Sequence, residues 1–198
     1  MSSLVVVSLV VLNCGTETNK EANKGNTDEF LSDTARHGQY LRSGAAVASQ
    51  TGAALIKNLT DAIEKGGTSY AIEYCNTRAL PLTDTMGALN QVHLKRVSDR
   101  PRNPQNQTDS TQLNYIRQLN AGLSAGEKPK PHLTEIDGKI VGYYPIITND
   151  LCMKCHGNKS DMDSQTLARI NQMYPSDAAT GYAANQLRGL WVVTMDKN

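Results

Sequence analysis

Apolar residues recur every three or four positions between Asp28 and Lys65: Leu41, Ala45, Ala48, Gly52, Leu55, Leu59 and Ile63. That spacing predicts an amphipathic helix, and Glu64-Lys65-Gly66-Gly67 predicts its end. Thr68 or Ser69 is placed to cap a second helix over YAIEYCNTRALPLTDTMGALNQ, which Pro81 would kink or divide. LKRVSDRPRNPQNQTD, rich in Asn, Arg and Asp around Pro101 and Pro104, reads as a loop. Asp109 or Ser110 opens a further helix through Leu119, closing near Gly122.

After SAGEKPKP the period changes. HLTEID and KIVGYYPII alternate in strand fashion on either side of Asp137-Gly138, a hairpin turn. SQTLARINQMYP then reads as a short helix and LRGLWVVTMD as a last strand. Helices first, then a small antiparallel sheet with helices beside it, predict an α+β domain over residues 28–198 with no internal repeat.

A chain of 198 residues is long enough to bury one real core. The net charge of +1 and an ordinary charged fraction give no sign of a nucleic-acid partner. Phe30 and Trp191 are the sole residues of their kinds beside eight tyrosines, so the core rests on aliphatic side chains, which a bound aromatic macrocycle would supplement.

Leu4 to Leu12 is an apolar run too short to span a bilayer but suited to a signal peptide. Cys14 follows it, and the pattern resembles a bacterial lipoprotein signal over residues 1–14, with Cys14 lipidated and anchoring the chain to a membrane. Asn13 before the cysteine and the lack of Lys or Arg before the run depart from that pattern. An ordinary secretory signal cut nearby, or a buried strand, are the alternatives. Residues 15–27 then read as a flexible tether, and the location as periplasmic or otherwise extracytoplasmic.

DLCMKCHGNKS holds Cys152, Cys155 and His156 as C-x-x-C-H, the attachment signature of c-type haem. Two thiols three residues apart reach two vinyl groups on one edge of a porphyrin, and the adjacent histidine is carried under the iron. A thioredoxin-like dithiol would sit in a βαβ setting, whereas this motif follows an antiparallel pair. A structural zinc site would need a second ligand pair, which the sequence does not offer. One motif implies one covalent haem c. For the sixth iron ligand, Cys75, His37, His93, His132 and the methionines are candidates. Cys75 is notable as a lone thiol in a chain read as exported.

Taken in order, YAIEYCNTRA, LKRVSDRPRNPQNQTD, GYYPIITNDLCMKCHG and TGYAANQLRGLWVVTMD resemble the blocks of a bacterial c-type haem domain with a PAS-like fold. That family occurs as stand-alone proteins in cyanobacteria and other bacteria, and in the periplasmic sensor halves of signalling proteins. The resemblance covers residues 70–196, and the helix before them fits it as well. It implies a PAS-like antiparallel sheet flanked by helices and preceded by a long N-terminal helix. Cys152 and Cys155 correspond to the thioether residues, His156 to the proximal ligand and Cys75 to a distal cysteine ligand. Arg96, Arg100, Arg102 and Asn103 correspond to a segment near the haem, although SDRPRNP replaces the more usual SLKxRNP type. Tyr143 and Tyr144 are expected against the macrocycle.

A thiolate ligand stabilises ferric iron, so a low potential is expected. Low-potential electron transfer with a redox partner is the first functional expectation. A redox or diatomic-gas sensor acting through a signalling partner is the alternative. No paired carboxylates or nucleophile–base arrangement in the motifs points to an enzyme.

Overall fold

The computed structural model describes residues 21–197, with side chains from residue 33 onward. The expected signal and lipidation site at Cys14 lie outside the described residues. Of the expected tether at 15–27, the described part is helical, because α1 (Glu21–Leu89) begins at Glu21. The described residues before His37 belong to a separate unit, and the fold described below begins at His37.

Helix α1 is interrupted where the sequence predicted a stop: Gly66 (φ −155, ψ 22) and Gly67 (φ 72, ψ −176) leave helical geometry, the second in a region that favours glycine. Pro81 sits inside the second segment, where no further non-helical backbone occurs. Then follow β1 (His93–Val97), a 3-10 turn at Pro104–Asn106, α2 (Ser110–Ser124), β2 (His132–Ile136), β3 (Lys139–Ile147), α3 (Asp150–His156), α4 (Ser164–Met173) and β4 (Leu187–Asp196). The strands form one antiparallel sheet in the order β1-β4-β3-β2. Asp137 (φ 50) and Gly138 (φ 74) make the predicted hairpin between β2 and β3. The α+β class, the long first helix and the helix-flanked antiparallel sheet are as expected.

One element was not. β1 occupies the start of the segment read as loop, because an arginine at an inward position hides its alternation. Leu94 and Val97 are buried on opposite sides of the strand, and Arg96 shares the Leu94 side, its guanidinium lying 5.8 Å from the Trp191 ring centre.

Both faces of the sheet are covered. On one, Leu94, Tyr144, Trp191, Val193 and Met195 pack against Val47 and Ala48 of α1; on the other, Val141, Tyr143, Leu190 and Val192 pack against Ile116 and Leu119 of α2. This explains why β4 reads as an almost unbroken apolar run. Small residues let α1 approach closely. A Cβ on Gly44 would fall on the Tyr144 hydroxyl and lie 2.6 Å from its Cζ. The hydroxyl instead donates to the Leu41 carbonyl across 3.3 Å, and burial pushes its pKa up to about 12.

At the end of the sheet, two loops are tied together. Arg102, only 8% exposed, pairs through Nε and Nη2 with the two oxygens of Asp177 at 3.0 and 3.2 Å. Its Nη2 also donates to Cys155 O at 2.6 Å and Ala179 O at 3.4 Å. Arg100 Nε donates to Ala178 O at 3.2 Å, and its Nη2 to Thr180 O. The 98–103 loop, the 177–182 loop and the end of α3 thus meet at one guanidinium. Among the described residues no helix is long and apolar enough to cross a membrane.

Two stability outcomes follow from this packing. Gly44→Ala should lose about 1–3 kcal/mol through overpacking, and Tyr144→Leu in that background should recover part of the loss in chemical denaturation. Additive losses would remove the assigned contact. Asp177→Asn leaves the Arg102 charge without its partner, so unfolding should become easier by about 3–5 kcal/mol; a change below 1 kcal/mol in urea melts would mean the pair is not the tie described.

Candidate functional site

The C-x-x-C-H motif forms α3, an element the sequence did not declare. Asn149 starts it, accepting from Cys152 N at 3.3 Å while its own N–H donates to Cys152 Sγ at 3.4 Å, so the first thiol is also part of the helix cap. Helical spacing then places Cys152 and Cys155 on one side, a single turn apart. Most of the carbonyls at the end of this short helix are taken up. Gly157 N donates to Met153 O at 3.0 Å, Arg102 to Cys155 O, Tyr182 N to His156 O at 2.9 Å and Gly181 N to Gly157 O at 2.7 Å.

His156 is fixed by a short contact of 2.6 Å between its Nδ1 and the Ala179 carbonyl. A carbonyl accepts only, so Nδ1 carries the proton and Nε2 keeps a free lone pair in the neutral ring. Burial, then the charges of Arg102 and Arg188, hold the imidazole well below its ordinary pKa. At neutral pH the ring is uncharged, the state in which a histidine ligates iron.

Cys75 approaches from the second segment of α1. One turn earlier, Ile72 is buried in a cluster with Cys155, Ile170 and Tyr174. Burial raises the Cys75 thiol, while Arg96 and Arg102 pull it back. The Cys155 thiol is pushed up to about 11, chiefly by burial, and it feels the charges of both Cys75 and Cys152. Arg96 is lowered by burial, with Cys75 and Tyr174 as its counterweights. Three thiols, one neutral imidazole and the Arg96 guanidinium therefore share one electrostatic neighbourhood. Among the described residues, no group of three or more His, Cys, Asp or Glu side chains converges as a bare metal ion would need.

The residues singled out from sequence divide accordingly. Cys75, Cys152, Cys155, His156 and Arg96 meet here. Arg102 is here too, its Nε and Nη2 bonded to Asp177 and two carbonyls, so that it braces the site. Asn103 is spent on the 3-10 turn, accepting from Gln105 N at 3.0 Å. Tyr144 lies in the core between α1 and the sheet. Tyr143 belongs to the α2 side, its ring 5.7 Å from Tyr115 and 6.3 Å from His132. Neither tyrosine packs in the thiol cluster, because alternation along β3 sends them to the two covered faces. His37, His93 and His132 are exposed.

Three residues were missed. Asp177 completes the Arg102 pair. Tyr182 sets its ring edge-on to His156 at 6.3 Å, with the Arg100 guanidinium 4.2 Å and that of Arg188 5.4 Å from its centre. Arg188, at the start of β4, was the one legible signal: a guanidinium opening an otherwise apolar strand.

A family model described as Tll0287-like (Tll0287) matches residues 18–196. A solved structure, the crystal structure of the cyanobacterial haem protein Tll0287, has the same fold at a TM-score of 0.53 and 18% identity, covering 86% of this chain and 96% of that one. No curated protein matches the chain. The family match spans nearly the whole chain, from before α1 to the end of β4, and the chain belongs to the Tll0287-like family.

Proposed function

We propose that the protein is an exported c-type cytochrome of PAS-like fold carrying one covalent haem, with Cys152 and Cys155 as the thioether residues. His156 Nε2 and the Cys75 sulfur would hold its iron. The observation that carries this reading is the His156 Nδ1 hydrogen bond to Ala179 O, which leaves Nε2 free on a neutral ring beside two thiols of one helical turn. The donor set fits haem better than a bare ion: one imidazole and one remote thiol suit an iron already held by four porphyrin nitrogens. The name of the structural relative, a haem protein, agrees with it.

Haem supplies a one-electron couple of iron, and a thiolate ligand sets it low. The chain's own residues do the rest. Asn149 presents the Cys152 thiol, and Arg102 and Tyr182 hold the end of α3 through its carbonyls. Ala179 O orients the imidazole and, as a hydrogen-bond acceptor, makes it a better donor. Arg96 places a cation near Cys75, where the thiol loses its proton on ligation. We assign no catalytic residues and read the function as low-potential electron transfer with a protein partner, at a membrane if Cys14 is lipidated. A sensing role through a signalling partner is the second reading. It is favoured by the break at Gly66 and Gly67, which frees the segment bearing Cys75 from the helix before it.

Co-expression with a cytochrome maturation system should give a chain that keeps haem after denaturation and solvent extraction. Cys152→Ala/Cys155→Ala should lose essentially all of it, and haem retained by that double variant would refute the attachment. Low-temperature EPR of the ferric protein should give a low-spin signal with the narrow g-spread of thiolate ligation. Cys75→Ser should lose that signal while keeping haem attached; an unchanged spectrum would return Cys75 to a packing role.

A further inference from the structure

Tyr182 is 5% exposed, and its hydroxyl has no hydrogen-bond partner among the described residues. A buried hydroxyl left in that state is costly, on the order of 1–3 kcal/mol, and such groups in proteins are rare. The ring that carries it lies against His156, with two arginines within 5.4 Å of its centre. Arg100 is already engaged with the carbonyls of Ala178 and Thr180. Arg188 is only partly engaged: Nη1 donates to Ser98 Oγ at 2.7 Å and to Arg100 O at 3.1 Å, and no carboxylate of the described residues pairs with it. Burial lowers Arg188, and the Tyr182 oxygen is its leading counterweight, so hydroxyl and guanidinium lie within electrostatic reach of each other. Asp177, the nearby acid, is taken by Arg102.

An orphaned O–H donor and a guanidinium with donors to spare, next to the imidazole and short of negative charge, call for an anion with acceptor oxygens. We propose that Tyr182 and Arg188 form a carboxylate-binding corner that takes a propionate of the haem, each donating to its oxygens. This rests on the haem reading above. It also assigns the cations of this end of the sheet distinct tasks: Arg102 to Asp177, Arg96 to the Cys75 sulfur, Arg188 to a propionate.

The test compares full-length, haem-bearing wild type with Tyr182→Phe, Arg188→Gln and Arg188→Lys, by resonance Raman of the propionate bending bands and by redox titration. Tyr182→Phe and Arg188→Gln should each shift a propionate band. Arg188→Gln should also lower the midpoint potential, because a cation that disfavours ferric iron is gone. Arg188→Lys should restore the potential, since charge remains, without restoring the band, since the planar fork is lost. Unmoved bands in Tyr182→Phe and Arg188→Gln overturn the corner, and so does a change in potential alone, which a distant charge produces without contact. Tyr182→Phe removes one oxygen and decides the matter if Arg188→Gln does not fold. A wild-type chain that keeps no haem after denaturation overturns the haem reading and the corner together; attached haem with unmoved bands overturns only the corner.

Discussion

The site depends on how one buried charge is satisfied. Arg102 sits where three separate stretches of chain cross, and a guanidinium there is tolerable only with its charge paired and hydrogen-bonded. Its Nε and Nη2 reach both oxygens of Asp177, and Nη2 also reaches the carbonyls of Cys155 and Ala179. The last of these also accepts from His156, so the group that closes the loops and the group that aims the imidazole share an atom. A lysine would bring the same charge but not the planar fork that spans a carboxylate and two carbonyls. Moving Arg102 would therefore disturb the cysteine helix, the 177–182 loop and the histidine together.

Beyond that tie, the neighbourhood is rich in cations and poor in acids. Arg96 and Arg188 are both drawn below their ordinary range by burial, which marks charges held without adequate compensation from the chain itself. Each has a structural partner, Trp191 for Arg96 and Ser98 with the Arg100 carbonyl for Arg188, but none of these brings negative charge. On the proposed reading the thiolate and the propionates would bring it, and the half-buried arginines would serve the ligand's recognition as well as the fold.

How much of this could be read from the chain depends on whether a residue's role is local. The helix stop at Gly66-Gly67, the Asp137-Gly138 hairpin and the C-x-x-C-H spacing are settled by neighbours in sequence, and all were legible. β1 was not, because Arg96 occupies a position where alternation calls for an apolar residue; only pairing with Trp191 across the sheet accounts for it. Tyr144 and Asn103 each have a structural task that sequence proximity to a motif did not show, Tyr144 in a space left by Gly44 and Asn103 as the cap of a 3-10 turn. Asp177 and Tyr182 were invisible because their partners lie far along the chain, and no periodicity marks a residue whose purpose is to meet a distant loop.

The two sides of the site are held by different means. His156 is fixed by its own hydrogen bond and by a helix end whose carbonyls are bound from two loops. Cys75 instead rides on a segment held by the packing of Ala71, Ile72 and Ala79, by the Thr68 Oγ1 contact with Thr166 Oγ1 at 2.5 Å and by Glu73 lying 4.0 Å from Arg169. The helix break lies about two turns upstream. On the proposed ligation, a change in iron charge would alter its pull on an anionic sulfur far more than on a neutral imidazole, so a structural response to reduction would fall on the Cys75 side. An electron carrier works best when that response is small, and a sensor needs it to be large. On that reading, how far the packing around Ala71, Ile72 and Ala79 yields would separate the two functions.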